Sequence, residues 1–221
     1  MIRTTGILIL LSLLAYNTSA KETKRADLNT AAEAKYLSSL EKEVIYEINL
    51  FRSNPAKYAE QFIAPLAKYY DGKILHYPGD KSIRTVEGVR ALNECVRELK
   101  RLSYKPILNP DKGLSLAARD HQLDQQKSGL TGHTGTDRSN LRLRIERYGT
   151  WQTRIGENIA YGNSSARQVV IFLLIDDGVR DRGHRATLRN PDFKVVGVAC
   201  GKHPVYETMC VLDFAGGMIE K

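Results

Sequence analysis

Residues 183–188 read Gly-His-Arg-Ala-Thr-Leu, and Asn190-Pro191 follows them closely. Proline disfavours the helical conformation of the residue before it, so we predict a short helix over 185–188 that ends at this pair. His184 then lies at the helix N-terminus, where the positive end of the peptide dipoles disfavours imidazolium. The ring is therefore expected to stay neutral, as a metal ligand must be.

Two further segments carry side chains that bind metal or move protons. Gly-His-Thr-Gly at residues 132–135 contains His133, and Gly-Glu-Asn-Ile-Ala at residues 156–160 contains Glu157. Like His184, both lie in glycine-marked turns, where the chain is free to approach other groups closely. We therefore expect these three side chains to converge on one cleft.

Capping residues, prolines and apolar periodicity indicate where the helices lie. We predict helices that begin at Ser38, Pro55, Thr85, Asn109 and Ser165. The last of these contains seven consecutive apolar residues and is expected to be buried on most sides.

Two strand-like runs, 195–200 and 208–214, flank a turn-rich segment and predict a hairpin. A symmetric hairpin sets Cys200 opposite Cys210, so we predict a disulfide between them. Cys95 lies on the apolar side of a predicted helix and is expected to be a buried free thiol. Helices followed by this hairpin predict an α+β fold with a small antiparallel sheet.

The N-terminal segment carries an export signal. Residues 1–20 combine the basic Arg3, an apolar run over 6–15 and small residues before a cleavage site, which is typical of a signal peptide. The run is too short to cross a bilayer, and no later stretch is long enough, so we predict a secreted protein, extracellular or periplasmic, without a transmembrane segment. We expect 21–37 to be a flexible lead-in and 38–221 to form a single domain.

Other basic groups are expected to lie outside the cleft. His121 shares a helix face with apolar residues, which predicts a hydrogen-bonded histidine in the core. Arg142, Arg144 and Arg147 are expected to form the solvated face of a short helix. The net charge of +8 suits an anionic surface as partner, and the absence of any nucleic-acid-binding motif argues against a nucleic-acid partner.

Taken in order, these motifs resemble the CAP superfamily, also called SCP/TAPS, in the form of a bacterial-type secreted member. The resemblance covers about residues 40–217 and rests on the segments 132–134, 156–160, 183–188 with Asn190-Pro191 and Phe193, and 196–199. It implies an α-β-α sandwich in which the small antiparallel sheet lies between helical layers. It also implies an extracellular setting and a central cleft lined by two histidines and two acids.

Carried over residue by residue, the resemblance places His133, Glu157, Asp177 and His184 in the cleft. For the second acid, Asp176 and Asp177 are both candidates, and we prefer Asp177. The segment from about 62 to 102 departs from the compact form of the family and is interpreted as a helical insertion.

The resemblance leads us to expect a binding protein rather than an enzyme. His133 and His184 are expected to hold a divalent metal, zinc, with an acid or water completing the shell. The cleft is also expected to take a lipid, a sterol or another small ligand. The alternative is a metal-assisted hydrolase of protease or esterase type, in which Glu157 or Asp177 is the catalytic general base.

Overall fold

The computed structural model describes residues 25–221, so the predicted signal peptide lies outside the described residues. The α-helices of this region are α1 (Ser39–Ser53), α2 (Pro55–Tyr58), α3 (Val89–Leu99), α4 (Lys112–Ser128), α5 (Leu141–Glu146), α6 (Ala166–Ile175) and α7 (Gly183–Arg189). Its strands are β1 (Tyr70–Asp71), β2 (Ile74–Leu75), β3 (Ile83–Arg84), β4 (Asn109–Pro110), β5 (Gly149–Tyr161), β6 (Val195–His203) and β7 (Glu207–Glu220).

The main sheet has four strands in the order β4-β6-β7-β5. β7 is antiparallel to both of its neighbours, and the two-residue β4 is parallel to β6. The predicted hairpin is therefore confirmed, although its strands are longer than expected. The sheet as a whole is mixed rather than purely antiparallel, because β4 is parallel to β6. A long crossover connects these two strands.

Helices cover both faces of this sheet, which confirms the predicted α-β-α sandwich. Alternate residues of β7 point to opposite faces, so Leu212 and Phe214 pack with α1 and α6 while Val211 and Ala215 pack towards α4 and α5. Among residues 25–221, no helix combines the length and apolar character needed to cross a bilayer.

Helix α1 begins as its sequence predicts and anchors the segment before it. Ser38 and Glu41 form a reciprocal capping box. Asn49 donates to the backbone carbonyls of Leu28 and Leu108, and Leu28 is buried. We expected 21–37 to be a flexible lead-in, but the described part, 25–37, packs against the domain because these contacts hold it there.

The segment 62–102 is less helical than expected. α2 continues into a π-helical turn (Ala59–Ile63) and a 3-10 helix (Ala64–Tyr69), after which β1, β2 and β3 form a small three-stranded sheet. α3 begins at Val89 rather than Thr85, because Gly88 has a left-handed φ of 65° that interrupts any earlier helical turn.

The cysteines lie as predicted. Cys200 and Cys210 are opposite each other in the β6–β7 register and form a disulfide. Cys95 is a free, fully buried residue of α3, and burial raises the pKa of its thiol to about 12.

Arg52 links the last turn of α1 to two distant parts of the chain, residue 106 and residues 188–193. Its guanidinium is fully buried and donates to the carbonyl oxygens of Pro106, Leu188, Asn190 and Phe193. Burial lowers the pKa of Arg52 to about 10, so the side chain stays charged at neutral pH. Its planar fork of donors meets four acceptors at once, which no other side chain can do.

We predict that Arg52→Lys lowers the free energy of unfolding by about 3 kcal/mol, because a single ammonium group leaves several buried carbonyls without a donor. Urea unfolding measures the loss. Arg97→Lys, on the exposed side of α3, is the matched control and should change stability by less than about 0.5 kcal/mol. Equal effects of the two substitutions would contradict the role assigned to Arg52.

We also predict that replacing Cys200 and Cys210 together by serine lowers the free energy of unfolding by about 2–3 kcal/mol, since the bond closes a short loop. Urea unfolding with and without reductant gives the comparison. Reductant should destabilise the wild-type protein and leave the double variant unchanged. Alkylation of both cysteines in denatured, non-reduced protein would show that the bond does not form.

Candidate functional site

Strand β5 presents Glu157 to two cations on one face of the sheet. Nδ1 of His133 lies 2.7 Å from Oε1 of Glu157, and Arg144 of α5 donates to Oε2 at 2.6 Å. The side chains of Glu157 and Arg144 are only 3% and 1% exposed, whereas that of His133 is 59% exposed. The imidazole is therefore fixed at its Nδ1 end and open to solvent on its other side.

The loop that carries His133 is held from three directions. Nε2 of His121 and Nε2 of Gln125 both lie within hydrogen-bond distance of the carbonyl oxygen of Gly132. The amide of Gly132 donates to the hydroxyl of Tyr161, and Arg144 donates to the carbonyl of His133 itself. These contacts position His133 before any ligand arrives. The prediction that His121 is a buried core histidine is confirmed.

Arg144 does not lie on a solvated face as we expected from the sequence. It is buried, while Arg142 is exposed and pairs with Glu146 one turn along α5. Leu141 and Ile145 mark the inner side of this helix, and Arg144 lies beside them. That apolar neighbourhood is the signal in the sequence that could have distinguished Arg144 from its neighbours.

The contacts among His133, Glu157 and Arg144 shift the pKa values of His133 and Glu157. The hydrogen bond with Glu157 raises the pKa of His133 above its ordinary value. Burial alone would raise the pKa of Glu157, but the hydrogen bond with His133 and the charge of Arg144 outweigh it and hold the pKa below the ordinary value. Glu157 is thus ionised at neutral pH and favours a protonated His133.

Asp213 is a further acid that the sequence analysis missed. It lies opposite Glu157 in the β5–β7 register and is fully buried. Within residues 25–221 neither of its carboxyl oxygens has a hydrogen-bond partner. Burial and the nearby charge of Glu157 raise the pKa of Asp213 well above the ordinary value and so favour its neutral form. A lone acid in the apolar strand 209–215 was its signal.

His184 forms the second histidine–carboxylate pair, on the other side of β5. Its Nδ1 lies 2.6 Å from Oδ1 of Asp176, and the Oδ2 atom of Asp176 accepts the amides of His184 and Arg185. Asn158 of β5 donates to the carbonyl of His184. The start of α7 is therefore tied both to the end of α6 and to the sheet.

Asp176, not the Asp177 that we preferred, contacts His184. The two oxygens of Asp177 accept the backbone amides of Val86 and Glu87, in the segment before α3. Asp176 has a left-handed φ of 57°, which ends α6 and turns its carboxylate towards α7. The sequence could not distinguish two adjacent acids, because this choice depends on one backbone angle.

A groove of about 480 Å³ runs along the free edge of β5 beside His184. Its floor is formed by residues 159–163, and its walls by the end of α6, the β2–β3 connection and the β6–β7 turn. Asp176 and Asp177 line it together with His184. Of the described residues expected in the cleft, His133 and Glu157 do not line this groove.

The two histidine–carboxylate pairs thus lie on either side of the same strand. Side chains alternate along β5, so Glu157 points towards α5 while Asn158 points towards α7. Nε2 of neither His133 nor His184 makes a hydrogen bond within residues 25–221. No cluster of three or more histidine, cysteine or acidic side chains suited to a metal occurs in that part of the chain. In each pair, therefore, the ring nitrogen Nε2 has no hydrogen-bond partner among the described residues.

Known proteins similar to this chain include one family and solved structures from two bacteria. The sequence profile described as CAP, the cysteine-rich secretory protein family, matches residues 46–214. An outer surface protein of Borrelia burgdorferi is 20% identical with a TM-score of 0.42, over 58% of this chain and 89% of that one. An extracellular protein containing an SCP domain from Bacillus anthracis str. Ames is 24% identical with a TM-score of 0.40, over 56% of this chain and 37% of that one. No curated protein sequence matches the chain.

We predict that Glu157→Gln lowers the pKa of His133 towards or below about 6.5, because the carboxylate that favours the imidazolium is gone. Titration of the histidine ring protons by NMR measures the shift. Glu146→Gln removes an acid at the end of α5 that contacts Arg142 and Trp151, and it should leave His133 unchanged.

The His133–Glu157 pair also makes the free energy of unfolding depend on pH. The raised pKa of His133 gives stability that is complete below about pH 6.5 and is lost as the pH rises through the folded value. The lowered pKa of Glu157 gives stability that is present above about pH 4.3 and is lost as the pH falls through the folded value. The stability lost in Glu157→Gln should therefore be largest between these limits, and a loss that does not vary with pH would contradict the pairing.

Proposed function

Since the chain belongs to the CAP family, we propose that it is a secreted binding protein whose cleft holds a divalent cation, zinc, between Nε2 of His133 and Nε2 of His184. The Cys200–Cys210 disulfide supports an oxidising location outside the cytoplasm. The support for a binding role is the way in which each histidine is held, not membership of the family.

The observation that carries this proposal is that both imidazoles are held in the same way. In each ring Nδ1 contacts a buried carboxylate, that of Glu157 for His133 and that of Asp176 for His184. A carboxylate on Nδ1 selects the tautomer whose lone pair is on Nε2, and it is the usual support of a histidine that binds zinc. Each ring, in its neutral form, would thus carry its lone pair on Nε2.

Two imidazoles supply half of the four ligands that zinc usually takes in a protein. Water and an incoming ligand would complete the shell, because the described residues offer no third side chain. Zinc bound in this way would attract an oxygen or nitrogen atom of that ligand. The site is therefore suited to a ligand that contributes to its own binding.

The contacts favour binding over the hydrolase alternative. A carboxylate whose oxygens accept hydrogen bonds within the protein is a weaker general base, because those bonds stabilise its ionised form. Both oxygens of Glu157 accept from His133 and Arg144, and both oxygens of Asp177 accept backbone amides. Neither candidate catalytic acid has a free oxygen, so we assign both to holding the cleft in shape.

We predict that His133→Ala and His184→Ala each weaken zinc binding by at least about tenfold, since each removes a ligand of the metal. Calorimetric titration at neutral and mildly acidic pH measures the affinity. Binding should also weaken as the pH falls, because protons compete for Nε2. Because Glu157 raises the pKa of His133, protons compete for this ring at a higher pH than for an ordinary imidazole.

His76→Ala is the matched control for the zinc titration. His76 is an exposed histidine that contacts Ser82 and belongs to neither histidine–carboxylate pair. Its loss should leave the affinity unchanged. Zinc binding that survives loss of His184, or that falls equally in His76→Ala, would refute the proposed site.

A further inference from the structure

We propose that the free edge of β5 binds an extended peptide segment of a partner protein, which joins the main sheet as an additional strand in the groove beside His184. The proposed partner of this groove is thus a peptide. This inference rests on the proposed function, because it takes the cleft region as the binding face. Zinc is not required for the backbone contacts on which the argument depends.

The sheet register identifies the backbone groups that face the groove. Within residues 25–221, β5 is at the end of the strand order and pairs with β7 alone. The amide of Gly162 donates to the carbonyl of Thr208, its partner in the same register. Bonded and non-bonded pairs alternate in an antiparallel ladder, so the backbone groups of Ile159 and Tyr161 point away from β7, towards the open edge.

The disulfide provides an independent check on this alternation. Cys210 pairs with Ala160 on one side and with Cys200 on the other. If residue 210 forms its ladder bonds with β5, the cysteine pair occupies a non-bonded position, where Cα atoms are closest. The Cα atoms of Cys200 and Cys210 are 4.1 Å apart, as this assignment requires.

Ile159 lines the groove through its backbone. Its side chain belongs to the apolar cluster with Ala118 and Val211 on the opposite face of the sheet. Within the described chain, the open edge at this point carries one hydrogen bond, which Asn163 Nδ2 donates to the carbonyl of Tyr161. The amide and carbonyl of Ile159 are therefore available to pair with one residue of an added strand.

The walls of the groove suit the side chains of such a strand. Ile83 and Phe172 line it from either side of the β5 edge, and Val205, which is 67% exposed, lies at its rim beside Tyr206. Lys81 and Glu207 form an exposed ion pair between two of the surrounding loops. Exposed pairs of this kind contribute little stability, so they can rearrange around a ligand.

The backbone groups favour a peptide over a lipid. An acyl chain in the groove would cover the amide and carbonyl of Ile159 without offering either of them a partner, which is unfavourable. A peptide backbone supplies one donor and one acceptor at the same spacing as the edge itself. Addition of a strand to an exposed sheet edge is a common mode of peptide recognition.

The test begins with a phage-displayed library of random octapeptides selected on the wild-type protein. Selected peptides are then synthesised as fluorescent probes, each in an unmodified form and in forms with one N-methylated amide. Methylation at the residue that pairs with Ile159 should weaken binding by on the order of tenfold or more, because the donor is lost and the methyl group enters the ladder. Methylation one residue away, on the other edge of the peptide, should have little effect.

A matched pair of variants tests the protein side. Ile159→Pro removes the outward amide, and proline is tolerated on an edge strand where that amide faces away from the sheet. Ile159→Ala loses similar side-chain packing but keeps the amide. We expect Ile159→Pro to bind the probe about tenfold more weakly than Ile159→Ala does. Circular dichroism should show that both variants are folded.

Three outcomes would overturn the proposal. One is that no peptide is enriched, and a second is that enriched peptides ignore both N-methylation and Ile159→Pro. The third is that vesicles of phosphatidylcholine and phosphatidylserine occupy the groove, perturbing the amide resonance of Ile159, while peptides do not. Calorimetric titration of zinc into Ile159→Pro and Ile159→Ala tests the metal site separately. Both variants should still bind zinc, so failure of the peptide proposal is distinguishable from failure of the metal site.

Discussion

Helices α6 and α7 cap each other, and the position of His184 depends on that exchange. The carboxylate of Asp176, at the end of α6, accepts the first amides of α7. In return, Arg185 of α7 donates to the carbonyls of Leu174 and Ile175 at the end of α6. Each helix thus satisfies backbone groups that the other would leave without partners, and the side chains of Asp176 and Arg185 are buried at this junction.

Charge is balanced locally on both sides of β5, by different means. Beside His133, the carboxylate of Glu157 is offset by buried Arg144, while burial favours the neutral form of Asp213. Beside His184, the cation Arg185 is offset by Glu94 and Glu98 of α3. Since uncompensated buried charge is strongly unfavourable, these partners make it possible to place two imidazoles with buried carboxylates beside one strand.

The sequence predicted those elements whose signals are local. The capping box at Ser38 and the cysteine hairpin, with its Cys200–Cys210 bond, depend on residues close together in the chain, and both are confirmed. The choice between Asp176 and Asp177 and the burial of Arg144 depend on backbone angles and distant partners, so residue type alone could not settle them. The strands β1–β3 were missed because two residues are too few to show alternation.

The position of β7 in the sheet affects how the chain folds. β7 lies between β5 and β6 but follows both of them in the sequence. Until it is present, β5 has no strand to pair with, and the residues that carry Glu157 cannot be fixed opposite Asp213. Folding must therefore wait for contacts between distant residues, which slows the reaction and leaves apolar strands exposed in the meantime. A chain synthesised only as far as β6 would contain every histidine of the site and still be unable to assemble it.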